Sequence, residues 1–116
     1  MNRYQDLQVW KKSMDLVEEV YALVKNFPDD EKFGLISQIR RCAVSIPSNI
    51  AEGSGRNSKK EFAQFLSIAA GSLFELNTQI QISQRVGYIE IEKQEELASN
   101  IDEIHRMLFG LITSLK

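Results

Sequence analysis

The amino-acid sequence predicts an all-α protein, an up-down-up-down four-helix bundle, and three observations predict it. Apolar residues recur at spacings of three and four along most of the chain, which is the period of a helix face and not of a strand. The chain holds only two prolines, Pro28 and Pro47. Four amphipathic segments are joined by short stretches rich in helix stop and start signals. The 116 residues fit a single domain spanning positions 1–116.

The first helix is expected to start after Asp6, a residue type that caps helices well. Leu7, Trp10, Met14, Val17, Tyr21 and Val24 form one apolar stripe, and Val9, Leu16, Val20, Leu23 and Phe27 form a second beside it. Two adjacent stripes make a face wider than one neighbouring helix needs. Phe27-Pro28 ends this helix, because the residue before proline is pushed out of the α region. Asp29, Asp30 and Glu31 then place negative charge at the entry of a second helix, where the dipole favours it. Leu35, Ile39, Cys42, Ile46 and Ile50 line its buried face. Pro47 removes a backbone donor inside this helix, so a kink is expected near residues 44–47. Gly53 and Gly55 are expected to stop the helix with a left-handed residue.

The third helix opens with a capping box, Ser58 accepting from the backbone of Glu61 and Glu61 reaching back. Phe62, Leu66, Ala69, Leu73, Leu76, Ile80 and Ser83 keep the core spacing, and Phe65, Ile68, Phe74 and Ile82 fall outside it. Gly71-Ser72 would admit another backbone closely. Val86-Gly87 ends the helix. The fourth runs from about Glu90 to the C-terminus on the stripe Leu97, Ile101, Ile104, Leu108, Leu111 and Leu115, with early acids and Lys116 at its basic end. Helices of roughly 20 to 28 residues give a bundle roughly 30–40 Å tall.

Composition narrows the function classes. Hydrophobic residues make up 43% and charged residues 26% of the chain, which excludes a disordered tail or a fibrous repeat. No apolar run reaches the roughly 20 residues of a bilayer span, and no signal core follows the N-terminus. The expected setting is therefore cytoplasmic, with no membrane association. Cys42 is the lone cysteine and His105 the lone histidine, so no intrachain disulfide, metal site or cofactor is expected. Cys42 reads as a small buried hydrophobe and His105 as a residue at the core boundary. No catalytic residues are assigned, because no nucleophile–base arrangement is evident. The chain is expected not to be an enzyme.

The net charge of −2 conceals an uneven distribution. Residues 1–31 carry −3, residues 32–60 carry +5 and residues 61–116 carry −4. A basic middle concentrates positive potential on part of the surface, which a polyanion would feel. Arg40, Arg41, Arg56, Lys59 and Lys60 are the candidate nucleic-acid contacts. The last three lie in a Gly-Ser-Gly-Arg-Asn-Ser-Lys-Lys stretch at a helix start, a competent phosphate site. The same bases can instead pair with acids on neighbouring helices. On a helical wheel Gln38, Arg41, Ser45, Asn49 and Glu52 share one strip beside the core of the second helix. Gln38, Arg41, Asn49 and Glu52, with Glu75 of the third helix, are expected to form a polar network. Arg41 would point inward to Glu52 or Glu75, and Arg40 away.

Several segments together resemble a known family: Leu7-x-Val9-Trp10, Phe27-Pro28, Gly34-Leu35-x-x-Gln38-Ile39-Arg40-Arg41, Ser45-Ile46-Pro47-Ser48-Asn49-Ile50-Ala51-Glu52-Gly53, Phe65-Leu66-x-Ile68-Ala69-x-Gly71-Ser72-Leu73-x-Glu75-Leu76 and Met107-Leu108-x-Gly110-Leu111-Ile112-x-Ser114-Leu115. They look like the bacterial four-helix-bundle proteins encoded in 23S rRNA intervening sequences, also labelled S23 ribosomal protein-like. The resemblance spans nearly the whole chain and is most specific across residues 38–53. Cys42 departs from it, standing where alanine is usual. The same superfamily includes the accessory variability determinant of diversity-generating retroelements, a homopentamer that binds nucleic acid and a reverse transcriptase. The resemblance therefore implies a four-helix protomer, a cyclic homopentamer and RNA binding.

The breadth of apolar surface on the first and third helices independently predicts a homo-oligomer. A ring would also repeat each basic patch and raise its affinity through multivalency. Two function classes follow. One is a non-enzymatic RNA-binding module for structured RNA or an RNA–protein complex, electrostatic in character. The other is a protein–protein scaffold or adaptor, for instance for a reverse transcriptase, working through the acidic faces of the first and fourth helices.

Overall fold

Side-chain volume and helical period together fold the chain into four antiparallel helices in a computed structural model that describes residues 3–116. The helices are α1 (Gln8–Val24), α2 (Leu35–Ser54), α3 (Lys59–Arg85) and α4 (Ile91–Ser114), with short 3-10 turns at Tyr4–Asp6 and Asp29–Glu31. No strand occurs among the described residues. The bundle measures 44 × 25 × 20 Å. Paired side chains fix the up-down-up-down order. Lys12 meets Glu103 and Glu19 meets Lys93, so α1 and α4 run in opposite directions. Cys42 and Ser45 meet Ser72, and Gly53 abuts Phe62 and Phe65, which sets α2 against α3.

The core draws on all four helices. On α1 it takes Val9, Ser13, Leu16, Val20 and Val24, with Phe27 beyond the helix end. The second of the two α1 stripes is thus the core stripe. Trp10 and Val17 of the other are only partly covered, and Met14 and Tyr21 are exposed. Asp6 does not cap α1: it closes the 3-10 turn, and Leu7 occupies the cap without a side-chain bond. The acidic turn behaves as its charge requires. Glu31 Oε1 accepts from the Leu35 amide at 3.3 Å, satisfying a free donor at the start of α2. Glu31 Oε2 accepts from the Tyr88 hydroxyl at 2.7 Å, and Tyr88 packs on Phe27 at 5.2 Å. That bond, strongest with a neutral phenol, holds the Tyr88 hydroxyl above its ordinary value. It ties together the two connections at one end of the bundle.

Three glycines behave differently from the expectation drawn at sequence level. α2 is continuous from Leu35 to Ser54 across the buried Pro47. Gly53 sits inside it, and Gly55 has φ −85°, so neither ends the helix by a left-handed residue. A Cβ on Gly53 would lie 2.7 Å from Phe65 Cβ, and so α2 and α3 approach closely at Gly53. At Gly71 a Cβ would meet nothing within 4 Å, so no backbone of the same chain packs there. The end of α3 follows the rule, Gly87 taking φ +87°. The start of α3 follows the expected capping box in half: Ser58 Oγ accepts from the Glu61 amide at 3.1 Å, while the Glu61 carboxylate reaches back only to the Ser58 hydroxyl, at 3.5 Å.

Candidate nucleic-acid interface

The basic residues of the 32–60 segment separate into committed and open cations. Arg40 and Arg41 exchange the positions expected of them. Ile36, Ala43 and Pro47 are buried together with Ile39, Ile46 and Ile50, which turns the buried face of α2 toward Arg40. Arg40 is accordingly half-buried, its guanidinium 5.2 Å from the Tyr21 ring centre in a cation–π contact and its Nε enclosed without a partner. Arg41 lies nearly opposite the core, exposed, with no ion pair among the described residues.

The expected network of Gln38, Arg41, Asn49, Glu52 and Glu75 resolves into separate pieces. Asn49 Nδ2 donates to the Ser45 carbonyl at 2.8 Å and to Ser45 Oγ at 2.9 Å. Ser45 Oγ lies 2.9 Å from Ser72 Oγ, carrying this chain across to α3. Glu52 turns to Arg56, in the turn after α2, at 2.9 Å. Glu75 accepts from Gln79 at 3.4 Å. Gln38 and Arg41 face outward and line a groove with Phe33, Ser45, Ser72 and Glu75. The reason is geometric: Ser72 is short enough to let α2 and α3 close on each other, which leaves no buried space for an arginine between them. Cys42 lies at the floor of this seam and donates from Sγ to the Ser72 carbonyl at 3.0 Å. Burial, with the Glu75 carboxylate adding to it, pushes the thiol up to about 12.

Arg56 is also committed. Its guanidinium bonds Glu52 at 2.9 Å, lies 3.9 Å from Glu61 and stacks 4.8 Å from the Phe65 ring centre. It clips the α2–α3 turn together and brings two carboxylates with it, so its charge is largely spent locally. Lys59 and Lys60 differ: both are exposed, with no acidic partner among the described residues. Lys116 stands with them along one groove between the start of α3 and the end of α4. Sequence reasoning passed over Lys116 as a site residue. An antiparallel order places the start of one helix near the end of the next, but only the packing of α3 against α4 brings Lys116 to the same groove.

A second surface is aromatic. His105 sits half-buried on α4 between Phe74 at 4.6 Å and Phe109 at 4.4 Å, both edge-on. Phe74 is 60% and Phe109 50% exposed. No helix among the described residues is long and apolar enough to cross a membrane.

The sequence pattern of the 23S rRNA-intervening sequence protein family matches residues 5–110. A crystal structure of a protein of unknown function from the S23 ribosomal protein family of Bacteroides thetaiotaomicron superposes with a TM-score of 0.83 at 28% identity, over 90% of this chain and 95% of that one. No curated protein matches the chain in sequence.

Proposed function

The chain belongs to the 23S rRNA-intervening sequence protein family, and from that premise we propose that it is a non-enzymatic RNA-binding module working as a ring of several copies. One observation carries the reading: Lys59 and Lys60 project from the first turn of α3 without acidic partners among the described residues. Positive side chains are unfavourable at a helix N-terminus, so their placement does little for folding and suits an external anion. Arg41 adds a third open cation on the α2–α3 side, whereas Arg40 and Arg56 serve the fold. Contacts of this kind are mainly to phosphates and favour structured RNA, or an RNA–protein complex, without a defined base sequence.

Assembly supplies the strength that two or three lysines lack. Phe74, Phe109, Ile68 and Ile82 remain about half uncovered by their own bundle, and a cyclic homopentamer, the assembly the family resemblance implies, would bury such faces and repeat the basic patch around its axis. The test is titration of a labelled structured RNA at two ionic strengths. Wild type is expected to weaken steeply with salt, and Lys59→Gln/Lys60→Gln to lower the salt slope by about 2 for each protomer that engages the RNA. Equal affinity in variant and wild type would remove this patch from the account.

The aromatic surface of Phe74, His105 and Phe109 favours a second reading, a protein scaffold or adaptor. Pull-down after nuclease treatment separates the two: a scaffold keeps its partner, and an RNA-bridged complex loses it.

A further inference from the structure

The groove between the start of α3 and the end of α4 joins charge to an apolar floor. Lys59 and Lys60 from the first turn of α3 and Lys116, just beyond the end of α4, stand along it, and no acidic residue lines it. None of the three lysines has an ion-pair partner among the described residues. Ala63, Ile112 and Leu115 make the floor, and the groove, open to solvent, measures about 490 Å³. That lies within the range of small-ligand sites. Gln64 and Ser67 add an amide and a hydroxyl along one wall.

From this juxtaposition of three open lysines with an apolar floor we infer that the groove seats an unpaired nucleotide of an RNA strand. This rests on the RNA-binding reading and gives it a substrate class. A duplex presents phosphates to lysines but keeps its bases stacked inside, so the floor would stay wet. An unpaired nucleotide presents both parts. Its phosphates reach the lysines, its base face covers Leu115 and Ala63, and its edges meet Gln64 and Ser67. α3 holds Lys59 and Lys60 at fixed spacing on a rigid element, and Lys116 follows the end of α4. Lys116 is the residue that makes the groove a site and not merely a charged helix start, because it answers Lys59 and Lys60 from the opposite wall.

The experiment compares binding of the full chain to a fluorescent oligouridine of about 12 nucleotides, within the usual footprint of a single-strand site, and to a blunt RNA duplex of equal length. Ser67→Trp fills the groove without altering charge, and Lys116→Gln removes one lysine without filling it. Circular dichroism checks that each variant is folded. Wild type is expected to bind oligouridine about threefold more tightly than duplex, in keeping with the apolar area one base face covers on the aliphatic floor. Ser67→Trp should erase that preference and leave duplex affinity unchanged, and Lys116→Gln should weaken oligouridine and lower its salt slope by about 1. Equal binding of the two RNAs by wild type, with neither variant changing it, overturns the groove inference and leaves the RNA-binding reading standing. Binding to neither RNA at low salt overturns both. Displacement of oligouridine by oligoglutamate at equal charge concentration also overturns the inference, because it assigns the groove to acidic protein.

Discussion

A single hydrogen atom in place of a methyl group decides how closely α2 and α3 pack. At Gly53 the helix would gain about 1 kcal/mol from alanine on propensity alone. The added Cβ, however, would lie 2.7 Å from Phe65 Cβ and 3.3 Å from the Phe62 carbonyl, and neither is the end of a flexible chain. Overpacking of that kind costs about 1–3 kcal/mol, and here backbone must also move, so the clash wins. Gly53→Ala is expected to lower stability in urea by about 2 kcal/mol, whereas Gly71→Ala, with open space around it, should be neutral or stabilising. The same seam governs Cys42. Its thiol is held neutral, pushed from 9.0 to about 12. Because the folded value is the raised one, its contribution to stability is intact below pH 9 and lost as pH climbs toward about 12. Alkylation by iodoacetamide at pH 8 should be more than about tenfold slower in the folded protein than in urea, since the thiolate is the reacting form. Equal rates would mean that the seam opens freely.

At the scale of elements, each helix is shaped more by its ends and neighbours than by its own propensity. Ser58 caps α3 through the Glu61 amide, and Ser58→Ala is expected to cost about 1 kcal/mol in equilibrium denaturation. Asp6, of an equally good capping type, does nothing of the kind, because the chain makes a 3-10 turn there and packs Tyr4 against Trp10 at 5.4 Å. A capping residue is legible in sequence only as a candidate. Whether it caps depends on the direction from which the chain arrives. α2 illustrates the same limit. Its apolar stripe was readable, but the wheel placed Arg41 inward and Arg40 outward. Ile36, Ala43 and Pro47 are buried too, because α2 is covered by α1 on one side and α3 on the other, and the true buried face is centred away from Arg41. A stripe tells that a helix is buried on one side; how far round the burial extends is set by how many neighbours it has.

For the whole molecule, the question is what covers the apolar residues that the bundle leaves bare. The core is closed by one residue set from each helix, yet Phe74 and Phe109 flank His105 in the open and Phe33 is 90% exposed. The Phe74–His105–Phe109 cluster is exposed apolar surface of the sort that marks contact sites. Light scattering on the purified chain is expected to give a mass several times 13.3 kDa, and Phe74→Ser/Phe109→Ser to reduce it to a smaller species with the helical signal kept. A wild-type mass of one chain at high concentration would end the ring proposal and the multivalency that goes with it. The four helices, their order and most of their core were determined by the sequence alone, because the three/four spacing and the stop signals act over a few residues, within reach of local physics. Which arginine stays open, which glycine is indispensable and the meeting of Lys116 with Lys59 and Lys60 were decided only by the tertiary structure. Each depends on the distance and rotation between helices far apart in the chain, and no local pattern encodes them.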